Sequence, residues 1–129
     1  VYGFDTGFLC FFRGWDTLRE DDKGILWEHL VLNEMISVLQ RSDINYWRDK
    51  AGHEIDFVLQ KRGRPPLAIE CKWKAAKFDH AALRVFRRRY PQGDNLVVSS
   101  DIDNPYEKNV GGFKIRFTGL NNLKAVLPA

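Results

Sequence analysis

The feature that most constrains this chain is the stretch from Gly52 to Lys74. It reads Gly-His-Glu-Ile-Asp-Phe-Val-Leu-Gln, a short basic turn, then Pro-Leu-Ala-Ile-Glu-Cys-Lys-Trp-Lys. Both halves alternate and are bounded by turn formers, which predicts two strands of a hairpin. A turn centred on Gly63 sets Asp56 opposite Glu70 and Glu54 opposite Lys72. With a side-chain period of two, Glu54, Asp56, Glu70 and Lys72 share one face. Ile55, Phe57, Leu59, Leu67, Ile69 and Cys71 then form an apolar core face.

Opposed carboxylates repel, and a sheet normally avoids them. A cation between them removes the conflict: carboxylate oxygens are the hard ligands Mg²⁺ prefers, and a nearby lysine can orient a water or steady phosphate charge. The pattern therefore suggests a metal-dependent phosphodiester site. The plainer alternative is a solvated hairpin face with a Glu54–Lys72 ion pair.

With 129 residues, the chain has room for one core. No apolar run reaches membrane-spanning length, so no membrane association is expected. Cys10 and Cys71 are too few for a disulfide framework or a zinc site, and a reducing, cytoplasmic setting is the default. The histidines, His29, His53 and His80, are not spaced as ligands, which argues against zinc or a histidine general base. A net charge of +3 does not by itself imply nucleic-acid binding. There is no Gly-rich phosphate loop. The chain opens on Val1 inside a strand-like run, which predicts a piece of a longer protein.

Around the hairpin the elements fall in order. Val1–Phe4 is a short strand candidate. Asp5-Thr6-Gly7 is also the triplet of aspartic proteases, but a turn leading into the apolar Phe8–Phe12 accounts for it better. A helix is predicted over Lys23–Arg41, capped by Asp21 and Asp22. Ile25, Trp27, Val31, Leu32, Met35, Ile36, Val38 and Leu39 form its apolar arc, with His29, Asn33, Ser37 and Gln40 on the other side. Glu28 falls inside that arc. A carboxylate there is costly unless it is paired or binds a cation, although near a helix start it also favours the dipole.

Ile44–Arg48 reads as a strand that turns at Asp49–Gly52 into the hairpin. A second helix runs from a cap at Asp79 to about Tyr90, with Ala82, Leu83, Phe86 and Tyr90 inward, and ends at Pro91 and Gly93. Leu96–Ser100 is a buried strand, Asp101–Pro105 a loop, Phe113–Phe117 a further strand, and the tail a short helix or extended segment. Lys74, Lys77, Arg84, Arg87 and Arg88 make the region after the hairpin basic. Such a run is either a solvated face or a surface for a polyanion.

The order helix, three strands, helix, strand, with Glu28, Asp56 and Glu70-x-Lys72, resembles the PD-(D/E)xK nuclease superfamily, the restriction-endonuclease-like fold. Three blocks more closely resemble the domain that follows the P-loop module in many bacterial and archaeal AAA+-type ATPases. They are Val-Tyr-Gly-Phe-Asp-Thr-Gly-Phe-Leu, Lys-Gly-Ile-Leu-Trp-Glu-His-Leu-Val-Leu-Asn-Glu, and Tyr-Trp-Arg-Asp-Lys-Ala-Gly-His-Glu-Ile-Asp-Phe-Val with Ile-Glu-Cys-Lys.

The resemblance implies an α/β fold whose central mixed sheet is flanked by helices, as one nuclease-like domain over residues 1–129 at the C-terminal end of a larger ATPase. It implies Asp56 and Glu70 as ligands of Mg²⁺ or Mn²⁺, Glu28 completing the metal site, and Lys72 assisting the attacking water. Glu54 is an additional acidic residue that either ligates metal or pairs with Lys72. Ile55 stands where the superfamily pattern has Pro. The implied activity is metal-assisted phosphodiester hydrolysis on nucleic acid, DNA in the first instance, with ATP entering only through the P-loop module and oligomers allowed. The alternative is a catalytically inert nuclease fold serving as a DNA-binding or regulatory docking module of the ATPase.

Overall fold

The computed structural model describes residues 20–40 and 44–128. The strand expected over Val1–Phe4, the Asp5-Thr6-Gly7 turn and the apolar Phe8–Phe12 lie outside the described residues. Among the described residues a six-stranded mixed sheet carries helices on its faces, as the resemblance implied.

Helix α1 spans Glu20–Leu39, so Asp21 and Asp22 sit in its first turn rather than before it. Acidic residues there still favour the positive end of the helix. The helix stops two residues short of the expected Arg41. Gln40 takes a left-handed φ of 51° and donates its N–H to the Ile36 carbonyl at 2.8 Å, a terminating αL cap. Trp27, Val31, Leu32 and Met35 are buried against the sheet, as the apolar arc predicts. His29, expected on the solvent side, is buried together with Leu26.

Strands β1 (Asn45–Arg48), β2 (Glu54–Leu59) and β3 (Leu67–Lys72) run antiparallel in succession. Phe57 pairs with Ile69 and Leu59 with Leu67, the register that a turn at Gly63 predicts. A crossover through the short 3₁₀ turn Ala75–Lys77 and helix α2 (Ala81–Arg89) leads to β4 (Asn95–Ser99), parallel to β3. Asp79 does act at the start of α2: its carboxylate accepts the Ala81 N–H at 2.9 Å. Strand β6 (Phe113–Thr118) lies parallel to β4, and β5 (Tyr106–Val110) pairs antiparallel at the outer edge. The spatial order is β1-β2-β3-β4-β6-β5. The tail closes with α3 (Leu123–Val126).

Two apolar layers result. On the α1 side, Phe57, Leu59, Ile69, Leu96 and Val98 pack with Trp27, Val31 and Met35, and Cys71 packs against them. On the α2 side, Ile55, Val58, Ala68, Val97, Ile115 and Phe117 pack with Leu83 and Phe86. Ile55 therefore does not share the face of Phe57 and Leu59. The cause is a bulge: Asn45 pairs with Val58 and Trp47 with Ile55, so Asp56 and Phe57 together oppose the single residue Tyr46. The extra residue resets the alternation and leaves Ile55 and Val58 on the same side.

Arg87 is buried and holds the end of the crossover. Its guanidinium donates to Asn95 Oδ1 (2.9 Å) and to the carbonyls of Pro66 (3.1 Å), Tyr90 (3.3 Å), Gln92 (2.6 Å) and Asp94 (2.7 Å). Gly93 fits beside it with φ 128°, where a Cβ would lie 2.2 Å from the Pro66 carbonyl. Glycine is the residue that tolerates both the dihedral and the approach.

Candidate metal and phosphate site

The parallel strands β3, β4 and β6 end on one side of the sheet, and the antiparallel β2 begins there. That is the end of an open α/β sheet where ligands bind. The bulge turns Asp56 toward β3, and its Oδ2 accepts the Cys71 backbone N–H at 2.8 Å. The side chain thus takes a donor at the point where the β2–β3 ladder stops.

Glu70 lies near the end of β3, 7% exposed, and among the described residues its Oε1 has no hydrogen-bond partner. Burial first, then the neighbouring Asp56 charge, pushes its carboxyl up to about 8; Lys72, the Asp56 N–H and Glu28 act more weakly, the first two downward. Asp56 is pushed up to about 6, chiefly by burial, against the Cys71 N–H, with Glu28 raising and Lys72 lowering it. Each of the two carboxyls is therefore harder to ionise than a carboxyl in water. Burial first, then the Asp56, Glu28 and Glu70 charges, pushes the Cys71 thiol well up, with Lys72 acting weakly the other way.

Helix α1 brings Glu28 within electrostatic reach because Trp27 pins it: the indole Nε1 donates to the Val98 carbonyl at 2.9 Å, and its ring meets Trp73 edge-on at 5.9 Å. Glu28, Asp56, Glu70 and Lys72 thus come together at one end of the sheet, coupled through their charges. Glu54 does not join them as a partner of Lys72. Its carboxylate takes the Arg48 guanidinium across β1, an exposed pair of small energetic weight. Next to it, the Asp49 carboxylate accepts the His53 N–H at 2.8 Å and meets its Nδ1 at 2.9 Å, fixing the β1–β2 turn.

Among the described residues no three His, Cys, Asp or Glu side chains form a ready metal cage. Mg²⁺ does not need one, since it keeps several waters and uses one or two protein carboxylates with substrate phosphates. The buried Glu70 Oε1 beside Asp56 fits such a cation: the two carboxyls would repel if both were ionised, and a hard divalent ion between them removes that conflict.

The basic residues divide. Lys74 and Lys77 are exposed and follow β3 directly at the carboxylate end. Arg84, also exposed, sits one turn into α2 and contacts His80 Nε2 at 2.6 Å. Arg87, expected to face nucleic acid, is committed to the internal network above. Arg88 lies in the last turn of α2, which runs back toward the opposite end of the sheet. A concavity of about 1170 Å³ is at that opposite end as well, lined by Leu59, Arg64, Leu67, Leu96 and Lys114 among others, and does not include Asp56 or Glu70.

The fold and this site define an α/β domain with a mixed sheet and a buried carboxyl pair at its strand ends. A family profile matches residues 23–117, and the chain belongs to that family, described as "Domain of unknown function (DUF4143)". No curated protein matches the sequence. Among solved structures, the fold is similar to a chain in the refined half-complex from a tetradecameric assembly of Thermococcus gammatolerans McrB AAA+ hexamers with bound McrC. That likeness has a TM-score of 0.54 at 16% identity, covering 82% of this chain and 30% of the other. The present chain therefore spans under a third of the length of the chain it matches.

Proposed function

We propose that the chain is a metal-dependent phosphodiester-hydrolysing domain of the PD-(D/E)xK nuclease type, acting on nucleic acid, DNA first, as part of an AAA+-type ATPase assembly in the cytoplasm. The observation that carries this reading is the pairing of the buried Glu70 Oε1 with Asp56 beside Lys72. A domain that only needed a stable sheet has no use for two carboxyls that would repel once ionised.

Asp56 and Glu70 hold the cation, Mg²⁺ or Mn²⁺, and Glu28 adds negative charge from α1. When bound, the cation supplies polarisation of a phosphate and a lowered pKa for a water ligand. Lys72 orients the attacking water and steadies charge developing on the phosphate. The Asp56–Cys71 hydrogen bond fixes one carboxylate oxygen and leaves the other for ligation. The likeness to a structure of AAA+ hexamers with a bound second protein supports a place beside an ATPase, with ATP bound outside residues 1–129.

A second reading is an inert nuclease fold that docks DNA or regulates the ATPase. The withdrawal of Arg87 and Arg88 from the carboxylate end favours it, because it thins the positive surface there. Cleavage of single- and double-stranded DNA and of RNA with Mg²⁺ and Mn²⁺, comparing the wild type with Lys72→Ala, separates the two. Metal-dependent cutting lost in Lys72→Ala supports hydrolysis. Nucleic-acid binding without cutting in either protein, with the ATPase partner present, supports docking.

A further inference from the structure

We propose that the concavity at the far end of the sheet is a docking groove for a peptide segment of another protein, acidic and rich in aliphatic side chains. It lies away from Asp56 and Glu70, so the assignment does not rest on the metal-site reading.

The groove runs across the sheet. Its lining takes Leu59 from the end of β2, Leu67 and Leu96 from the starts of β3 and β4, Lys114 from the start of β6, and Glu107 from β5. Those five strands are neighbours in the sheet. At about 4.8 Å between strands, the groove is about 19 Å long, the reach of about six extended residues. Its volume of about 1170 Å³ exceeds the roughly 300–1,000 Å³ of small-molecule pockets. A stretch of chain suits it better than a metabolite.

The two sides of the lining differ in chemistry. Leu59, Leu67, Leu96 and Leu127 belong to the α1-side apolar layer and make an aliphatic wall with Leu39 and Val126. Ile115 and Phe117 pack on the α2 side, so alternation sends Lys114 and Arg116 to the α1 side. Glu107 meets both, at 3.2 Å from Lys114 Nζ and 3.1 Å from the Arg116 guanidinium, and so answers two cations with one charge. Arg64 and Lys124 are exposed, line the same groove and have no carboxylate partner among the described residues. Positive charge is therefore in excess beside an aliphatic wall. Its complement carries Asp or Glu on one side and Leu, Ile or Val on the other.

A nucleic-acid strand fits less well. It brings a phosphate charge at every nucleotide and bases that stack on aromatic rings. Here the carboxylates of Asp94 and Glu107 share the lining, and among the described residues Phe113 is its one aromatic ring.

The test pans the full chain against a random dodecapeptide library displayed on phage and measures the enriched peptides by fluorescence anisotropy. Three proteins are compared: the wild type, Arg64→Glu with Lys124→Glu, and Lys50→Glu with Lys108→Glu. The two variants have the same net charge, but Lys50 and Lys108 do not line the groove. All four residues are exposed, so both variants are expected to fold. Should the first not fold, Arg64→Gln with Lys124→Gln is read in its place. The wild type is expected to enrich peptides that combine Asp or Glu with Leu, Ile or Val. Their affinity is expected to fall about tenfold or more in the Arg64 and Lys124 variant and to stay within about twofold in the other. Failure to enrich, or enrichment of neutral or basic peptides, overturns the assignment. Equal weakening in both variants also overturns it, because bulk charge then explains the binding. Displacement of the peptide by a twelve-nucleotide oligothymidylate at comparable concentration makes the groove a nucleic-acid surface instead. A wild type that sediments as a dimer, and becomes monomeric only in the Arg64 and Lys124 variant, puts a second copy of the chain there and overturns it too.

Discussion

The Asp56 carboxylate accepts the Cys71 backbone N–H at 2.8 Å, across the point where the ladder between β2 and β3 ends. One side chain thus serves the fold with one oxygen and offers the site the other. Substitutions that separate these two duties are the informative ones.

Asp56→Asn keeps an oxygen for the Cys71 N–H and removes the charge. It should fold like the wild type but respond less to cations. At about 100 times the dissociation constant a bound ion stabilises by about 2.7 kcal/mol. The wild type should therefore melt several degrees higher in saturating Mg²⁺ or Mn²⁺, and Asp56→Asn should show little of that rise. Equal shifts in both proteins would remove Asp56 from the ligand set.

Stability of the metal-free protein should fall as pH rises. The Glu70 carboxyl has an ordinary value of 4.5 and stands at about 8 in the folded chain. A folded-state value raised above the unfolded one means that the native state binds more protons between the two. Its contribution is full below about pH 4.5 and is lost as pH rises through about 8. Asp56 adds the same sign between 3.8 and about 6. Glu70→Gln should flatten this dependence and raise stability at pH 8 by about 2–4 kcal/mol. Denaturant titrations at pH 5 and pH 8 measure it, and a wild type more stable at pH 8 without metal would contradict it.

Arg87→Met should destabilise by about 2–3 kcal/mol, because it removes the donors that tie the Pro66 carbonyl of the β2–β3 connection to the Gln92 and Asp94 carbonyls of the α2–β4 connection. Gly93→Ala should also destabilise, through the Pro66 carbonyl and the positive φ. Urea unfolding midpoints report both. Neither change should alter Mn²⁺ affinity in protein that remains folded.

Neutralising Lys74, Lys77 and Arg84 to Gln should weaken nucleic-acid binding at every sequence tested. Each lost phosphate contact lowers the steepness of the salt dependence by about one. Arg88→Gln, at the far end of α2, should leave that slope unchanged. Binding measured across a salt series distinguishes the two sets.

Much of this arrangement was legible in the sequence. The Gly63 turn fixed the hairpin register, and Glu28 stood out as a carboxylate in an apolar arc. The bulge was not legible, since Glu-Ile-Asp-Phe-Val-Leu reads as regular alternation and the reset comes from pairing with β1, a tertiary event. Arg87 hid in a run of arginines, where periodicity cannot tell a buried guanidinium from a solvated one. Strand β5 escaped because its residues are mostly exposed and lack an apolar alternation. Its signal was Gly111-Gly112, with φ of 59° and 86°, flanked by the paired Val110 and Phe113.

The bulge has a consequence for length changes. A chain lacking one residue at Asp56–Phe57 would regain unbroken alternation along β2 and a cleaner ladder with β1. The same deletion would rotate everything before it by half a strand period, sending Ile55 toward α1 and swinging the Asp49–His53 turn to the other side. Such a protein would have a more regular sheet and no acidic pair at its end, so a single extra residue sets the reading frame in which the sheet's chemistry is written.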